Sequence, residues 1–266
     1  MSKNLQDIFS SKNYNIIIAN SAYDIKRELE SLTTMRSKRV DGVLIVPATT
    51  EGKYIKAIKD SGVPVIILDR KMPEINIDTI LVDNYKGGQE ATNYLISLGH
   101  KKIGYIDRAI DHSHSLERKK GFMDALKENR IEFDKKNMIR GGFTFESGVE
   151  AVKILIRRNP EITALFSFND TMALGAIRGL VDLGFKIPDD KSVIGVDDIS
   201  LSCIFVPRLT TVHYPIKEIA VEATKLLLNR IKRPGFKKAR EIIIHSKLVI
   251  RESAASVKNS KQKIAF

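Results

Sequence analysis

The sequence predicts an α/β protein of two lobes, each a parallel sheet flanked by helices. Short β-branched or apolar runs alternate with longer stretches at helical spacing, the rhythm of repeated βα units. A chain of 266 residues is too long for one small core and suits two lobes of ordinary size. Predicted strands end near Asp69-Arg70 and Asp83-Asn84 in the first part, and near Asn169-Asp170 and Asp197-Asp198 in the second. Open α/β sheets hold ligands at the carboxy ends of their strands, so two such halves facing each other would line a cleft with carboxylates, amides and guanidinium groups. Polyhydroxylated ligands suit that lining.

Strands are expected, in chain order, at Asn15–Ala19, Gly42–Val46, Val63–Leu68, Thr79–Val82, Lys102–Ile106, Met138–Gly141, Ala164–Ser167 and Ser192–Val196, with late extended segments near Thr211–His213 and Glu241–Ile250. Helices fill most gaps. Lys86–Leu98 sets Ala91, Tyr94, Leu95 and Leu98 on one face, with Gly99 placed to cap its end. Glu117–Asn129, Glu146–Arg157, Thr171–Leu183 and Ile216–Ile231 follow the same pattern, and Gly184 caps the helix over Thr171–Leu183.

Composition narrows the class. Hydrophobic residues make up 43% and charged residues 29%, and no apolar stretch approaches the roughly 20 residues that span a bilayer, so a soluble protein is expected. The start, Met1 to Asp7, lacks a basic region followed by an apolar one, which predicts a cytoplasmic location and no contact with membrane. The single cysteine, Cys203, can form neither an internal disulfide nor a metal cluster and reads as a small buried hydrophobe. A net charge of +12 favours anionic partners at long range without identifying them, since the lysines are scattered.

Catalytic signatures are missing from the sequence: there is no His-Glu-x-x-His, Gly-x-Ser-x-Gly or phosphate-loop pattern. His112-Ser113-His114 has the look of a metal pair but no third ligand nearby, so neither metal nor cofactor is expected. Binding without turnover is the prediction.

Seven blocks carry a family resemblance: Val40 to Val43, Gly62 to Arg70, Val82 to Ile103, Glu117-Arg118 with Gly121-Phe122, Asn169 to Gly175, Gly195 to Asp198, and Leu209 to Val212. In this order and spacing they resemble the effector-binding core of LacI/GalR-type bacterial transcription regulators, itself similar to periplasmic sugar-binding proteins. The resemblance covers roughly Asn15 to Ser253. It implies a two-lobed periplasmic-binding-protein-like fold with several chain crossings: residues 1–107 plus 215–240 as the N-terminal lobe, 108–214 plus 241–253 as the C-terminal lobe, and 254–266 as a flexible basic tail. It also implies a helix-turn-helix headpiece, a hinge helix and a first strand ahead of Tyr14, whereas this chain begins inside the first helix. No helix-turn-helix pattern or arginine-rich minor-groove element stands in these residues, so contact with DNA is expected only through such a headpiece. The absent strand would lie between Asn15–Ala19 and Gly42–Val46, which raises the expectation of a truncated product or a misplaced start.

The candidate site follows from side-chain chemistry. Asp69 and Asp197 can each accept two hydroxyl hydrogen bonds. Arg118, near the start of its helix, and Arg70 offer planar forks of donors. Asn169 both donates and accepts, and Phe143, in Gly141-Gly142-Phe143-Thr144, offers a flat apolar ring to the C–H face of a pyranose or to a base. The resemblance matches these six positions to ligand contacts, and His114 and Tyr214 to less certain ones. Several have a plainer reading: Asp197 and Asn169 as turn formers or caps, Arg118 in a surface ion pair with Glu117 or Asp124, and Phe143 as core; Asp170 and Asp198 read as structural partners of their neighbours. Asp107, Arg108 and Asp111 stand where relatives often carry glycines, so this rim is expected to be shaped differently.

Function then divides three ways. A ligand-sensing, dimeric core closing on a small effector, expected to be a sugar, leads; a sugar carrier for a transport system is the alternative; a dimerisation module built on Thr171–Leu183 and Ile204-Phe205-Val206 is the third. Ile204 and Phe205 are the expected dimer contacts.

Overall fold

The computed structural model describes residues 2–22, 24–49, 62–72, 75–108, 113–233 and 238–257. The chain divides into two compact units, residues 1–83 with 215–244 and residues 84–214 with 245–266, and passes between them at Asp83–Asn84, Tyr214–Pro215 and Ile244–His245.

In the first unit, helices α1 (Ser2–Ser10) and α2 (Ile25–Ser37) precede β1 (Val43–Ile45), β2 (Val65–Leu68) and β3 (Asp78–Val82). Helix α7 (Ile216–Lys232) and strand β9 (Glu241–Ile244) return from later in the chain. The sheet runs β1-β2-β3-β9, with every pair parallel. Alternation of side chains sends Val43, Ile45, Val65 and Ile67 into one cluster with Leu32 and Met35 of α2, while α7 packs against the strands as well. Asp24 starts α2, its side chain accepting from the Arg27 amide that the first turn leaves without a helical partner.

The second unit contains α3 (Asn84–Ser97), β4 (Ile103–Arg108), α4 (Ser113–Glu128), β5 (Met138–Gly141), α5 (Phe145–Arg158), β6 (Ala164–Ser167), α6 (Asp170–Asp182), β7 (Ser192–Asp197), β8 (Thr210–His213) and β10 (Lys247–Val249). Its sheet runs β10-β8-β7-β6-β4-β5, antiparallel only between β10 and β8. Tyr105, Phe166 and Ile194 turn to one face, against Ala91 and Leu95 of α3 and Phe122 and Leu126 of α4. Their neighbours Ile106, Leu165 and Val193 turn to the other, against Val152 and Leu155 of α5 and Met172 and Ile177 of α6. A sheet covered on both faces needs apolar residues at every position, which is why these strands read as continuous apolar runs. Gly99 and Gly184 do end their helices, with φ of +89° and +87°.

Four expectations change. Asn15–Ala19 is not a strand: it pairs with nothing among the described residues, Ile17 and Ile18 are exposed, and β1 is a sheet edge. A β-branched run becomes a strand only where a neighbour completes its hydrogen-bond ladder. The unit boundary falls at Asp83–Asn84 instead of after residue 107, because β4 pairs with β5 and β6 and α3 packs on α4. Glu241–Ile250 is two strands, and β9 joins the first unit through β3, so residues 241–244 leave the C-terminal lobe. The tail is anchored at its start: Ala254 is buried, the Ala255 carbonyl meets His100 Nε2 at 3.0 Å, and the Val257 amide donates to Leu98; residues 258–266 lie outside the described residues. Among the described residues, no helix is long and apolar enough to cross a membrane.

Candidate functional site

In the second unit the parallel strands end along one edge of the sheet, and that edge collects most of the candidate residues. Strand β4 delivers Asp107 and Arg108, β5 leads to Phe143, β6 to Phe168 and Asn169, β7 ends on Asp197, and β8 is followed by Tyr214.

Phe168 organises the group. The Arg118 guanidinium lies 4.8 Å from the centroid of its ring. Arg118 Nη1 donates to the Phe168 carbonyl, and Nη2 donates to Asn84 Oδ1 at 2.8 Å. Arg118 is 4% exposed, so the surface ion pair with Glu117 or Asp124 does not form. Its position depends on two glycines where α3 and α4 cross. A Cβ on Gly88 would lie 2.2 Å from the Arg118 carbonyl oxygen, and one on Gly121 would lie 2.0 Å from that of Tyr85.

On the other side of Phe168, Arg108 is 1% exposed, its guanidinium 4.0 Å from the Phe143 ring centroid and 5.3 Å from that of Phe168. Phe143 and Phe168 meet edge to face at 5.6 Å. Phe143 is 42% exposed, a loop aromatic and not a core residue. His114 stacks beside Phe168, with ring centroids 6.0 Å apart, and its Nε2 lies 3.1 Å from Arg108 Nη1. A guanidinium only donates, so this contact requires a neutral imidazole accepting at Nε2. Asp107 accepts from Lys119 Nζ at 2.9 Å. His112 and Asp111 lie outside the described residues, so the His112-Ser113-His114 pair is not described as such.

Asn169 realises its plainer role in part. Its side-chain oxygen accepts from the Met172 amide at 2.8 Å and caps α6, leaving the amide nitrogen as the group a ligand could use. Asp197 ends β7 at a φ of +116°, a conformation that side chains rarely adopt, and its carbonyl accepts from the Tyr214 amide at 3.4 Å. Asp69 and Arg70, in the first unit, follow β2; Asp69 has a φ of +59° and its amide donates to the Ile80 carbonyl at 2.8 Å. Arg70 is buried.

Asp170 and Asp198 are structural. Asp170 accepts from Ser202 Oγ at 2.6 Å, from the Ile199 amide at 2.9 Å and from Thr211 Oγ1. Burial pushes its pKa up against the pull of those donors. Gly195 makes the room, since a Cβ there would lie 2.3 Å from Asp170 Oδ1. At Asp198, burial raises the pKa, but hydrogen bonds from Arg251 at 2.5 Å and His213 at 2.9 Å outweigh it and hold the carboxyl below its ordinary range.

Asp170 thereby holds the turn Ser200–Cys203, next to the expected dimer contacts. Ile204 is 70% exposed and Val206 85%, whereas Phe205 is half-buried against the core. Cys203 is exposed, contrary to expectation, because the turn points its thiol outward to the Ser200 carbonyl at 3.0 Å.

Two members of the group are not among the sequence candidates for ligand contact. Phe168 is legible as the neighbour of Asn169 at a strand end. Arg108 reads in sequence only as part of a rim, because the apolar run stops at Ile106; two further residues of β4 bring it to the edge.

A family model described as periplasmic binding proteins and sugar binding domain of the LacI family matches residues 3–252. The chain is 34% identical over 245 residues to the HTH-type transcriptional repressor PurR of Mannheimia succiniciproducens and 35% identical over 245 residues to the ribose operon repressor of Haemophilus influenzae, in both cases across 92% of this chain and 73% of the relative. Among solved structures, a LacI family transcriptional regulator from Enterococcus faecium with bound ribose is similar at a TM-score of 0.87 and 30% identity, covering 97% of this chain and 93% of that one. The Escherichia coli transcriptional repressor ascG is similar at 0.86 and 27%, covering 96% and 93%.

Proposed function

Since the chain belongs to the family of periplasmic binding proteins and LacI-type sugar-binding domains, we propose that it is the effector-sensing core of a transcription regulator and binds a small molecule without transforming it. The observation that carries this reading is Arg118, buried at a sheet edge and held by Phe168 and Asn84, with Arg108, His114 and Phe143 around the same ring. Fixed donors beside aromatic faces bind and orient a ligand.

A sugar-class effector is supported by the ribose in the Enterococcus relative. In this reading Asp197 accepts ligand hydroxyls, the Asn169 amide nitrogen donates, and Phe143 packs on the ligand. By the resemblance, Asp69, Arg70, His114 and Tyr214 are assigned to the same effector. A ligand that prefers one conformation of the core shifts its population by the difference in affinity, and a homodimer joined through the exposed Ile204 and Val206 would transmit the shift. The protein acts in the cytoplasm.

Isothermal titration against a panel of sugars and purines tests the proposal. Heat from one ligand, with no product formed, is expected; turnover of that ligand, or silence across the panel, would overturn it.

A further inference from the structure

All strands of the first unit's sheet are parallel, so β1, β2, β3 and β9 start along one edge. Basic side chains gather there. Lys38 and Arg39 stand in the connection entering β1, Lys238 and Arg240 in the one entering β9, and Lys232 and Arg233 at the end of α7; all six are exposed. The end of α7 lies at this edge because Leu227 packs at Gly42, just before β1, and Arg230 binds Asp78, the first residue of β3. We propose that this edge of the first unit docks on the phosphate backbone of duplex DNA.

The carboxylates of the edge are few and mostly taken. Asp78 accepts from Arg230 Nη2 at 2.6 Å and from the Arg240 amide at 2.8 Å, and Glu241 is met by Lys71 Nζ at 3.3 Å, which leaves Asp41 as the exposed acid. Lys38, Arg39, Lys232, Arg233 and Lys238 make no ion pair among the described residues. Residues 50–61, 73–74 and 234–237, outside the described residues, carry four lysines and three carboxylates in the sequence and so add no net negative charge.

Helix dipoles explain only part of this. The negative ends of α2 and α7 favour Arg36 and Lys232 in their last turns, but Arg39, Lys238 and Arg240 lie beyond those turns. Arg39 also follows α2 at a φ of +52°, in the backbone region where glycine ends α3 and α6. An arginine there costs strain that a glycine avoids, a cost that capping the helix does not require.

Exposed cations without partners suit a polyanion, and duplex DNA presents phosphates in two parallel rows. The starts of β1 and β9 are three strand separations apart, about 14 Å, close to the roughly 12 Å width of a major groove. The two connections therefore reach phosphates on its opposite banks. The choice of DNA rests on the proposed role in a transcription regulator, and contacts of this kind position a protein on the duplex without reading its sequence.

The test is fluorescence anisotropy of a labelled duplex of arbitrary sequence, about 20 base pairs long, titrated with the full chain. Binding is expected to weaken about 100-fold between 50 and 200 mM salt, as about four phosphate contacts require. Lys38→Gln and Arg39→Gly are each expected to reduce the slope of log affinity against log salt by about 0.9, and the backbone at Arg39 accepts glycine without strain. Lys38→Glu is expected to weaken binding about 10-fold, whereas Lys127→Glu, the same charge change at an exposed position of α4 in the second unit, leaves it nearly unchanged. No binding at 50 mM salt overturns the proposal, as does equal weakening by Lys127→Glu. Tighter binding of polyglutamate or of an RNA duplex also overturns it, by making an acidic protein or RNA the better occupant. Each of these failures leaves the sensor reading intact, whereas silence from the effector panel with duplex binding preserved would overturn that reading alone.

Discussion

Arg118 is bound to Phe168 twice over: its guanidinium lies 4.8 Å above the ring while donating a hydrogen bond to the carbonyl of the same residue. A helix and the end of a strand are thereby fastened at one point, with Asn84 at the start of α3 as the second acceptor. Arg118→Ala removes the Arg118 hydrogen bonds to the Phe168 carbonyl and to Asn84 and is expected to destabilise the fold by about 1–3 kcal/mol while abolishing effector binding. Urea denaturation and calorimetric titration check the two effects. A folded variant with unchanged affinity would remove Arg118 from the site.

The helix crossing that positions Arg118 is equally sensitive. Gly88→Ala would place a methyl group 2.2 Å from the Arg118 carbonyl oxygen, so α3 and α4 must separate. The expected cost is about 1–3 kcal/mol in denaturant melts, with a loss of effector affinity transmitted through Arg118.

Asp197 holds a backbone conformation that glycine adopts without penalty, at a φ of +116°. Asp197→Gly is expected to relieve about 1 kcal/mol of strain, raising the melting temperature, and to weaken effector binding. If stability and affinity fall together, the carboxylate is a structural partner instead.

The Asp198 carboxyl titrates below its ordinary value of 3.8 because Arg251 and His213 outweigh the effect of burial. A lowered folded-state pKa means stabilisation that is complete above the unfolded value and is lost as pH falls through the folded one. The stability advantage of the natural chain over Asp198→Asn should therefore hold at neutral pH and decline below about pH 4, as measured by denaturant melts across that range.

Ile204 and Val206 expose apolar surface at 70% and 85%. Ile204→Asp is expected to leave the fold intact and shift a dimer to monomer in sedimentation velocity, whereas Phe205→Ala, which strips a residue packed on the core, is expected to lower stability. A parent chain that is monomeric at high concentration would retire this surface as an interface.

Local rules make much of the fold legible. The βα rhythm marks the strands of the second sheet, glycine marks the ends of α3 and α6, and Asn169 before Thr171–Leu183 announces a helix start that its side chain does cap. Each of these depends on residues a few positions apart, and sequence displays such residues together. By the same means Asp197 and Asn169 are recognisable at strand ends.

Tertiary structure alone decides the rest. Whether Asn15–Ala19 becomes a strand depends on a ladder partner, which its isoleucines cannot specify, and it has none among the described residues. Whether Glu241–Ile250 is one strand or two depends on β3 claiming its first part and β8 its second. The Arg108, Phe143 and Phe168 stack arises because β4 lies between β5 and β6, an order that the chain does not follow in sequence. Hydrogen bonding between distant strands sets that neighbourhood, and only the folded sheet brings those three side chains within reach of each other.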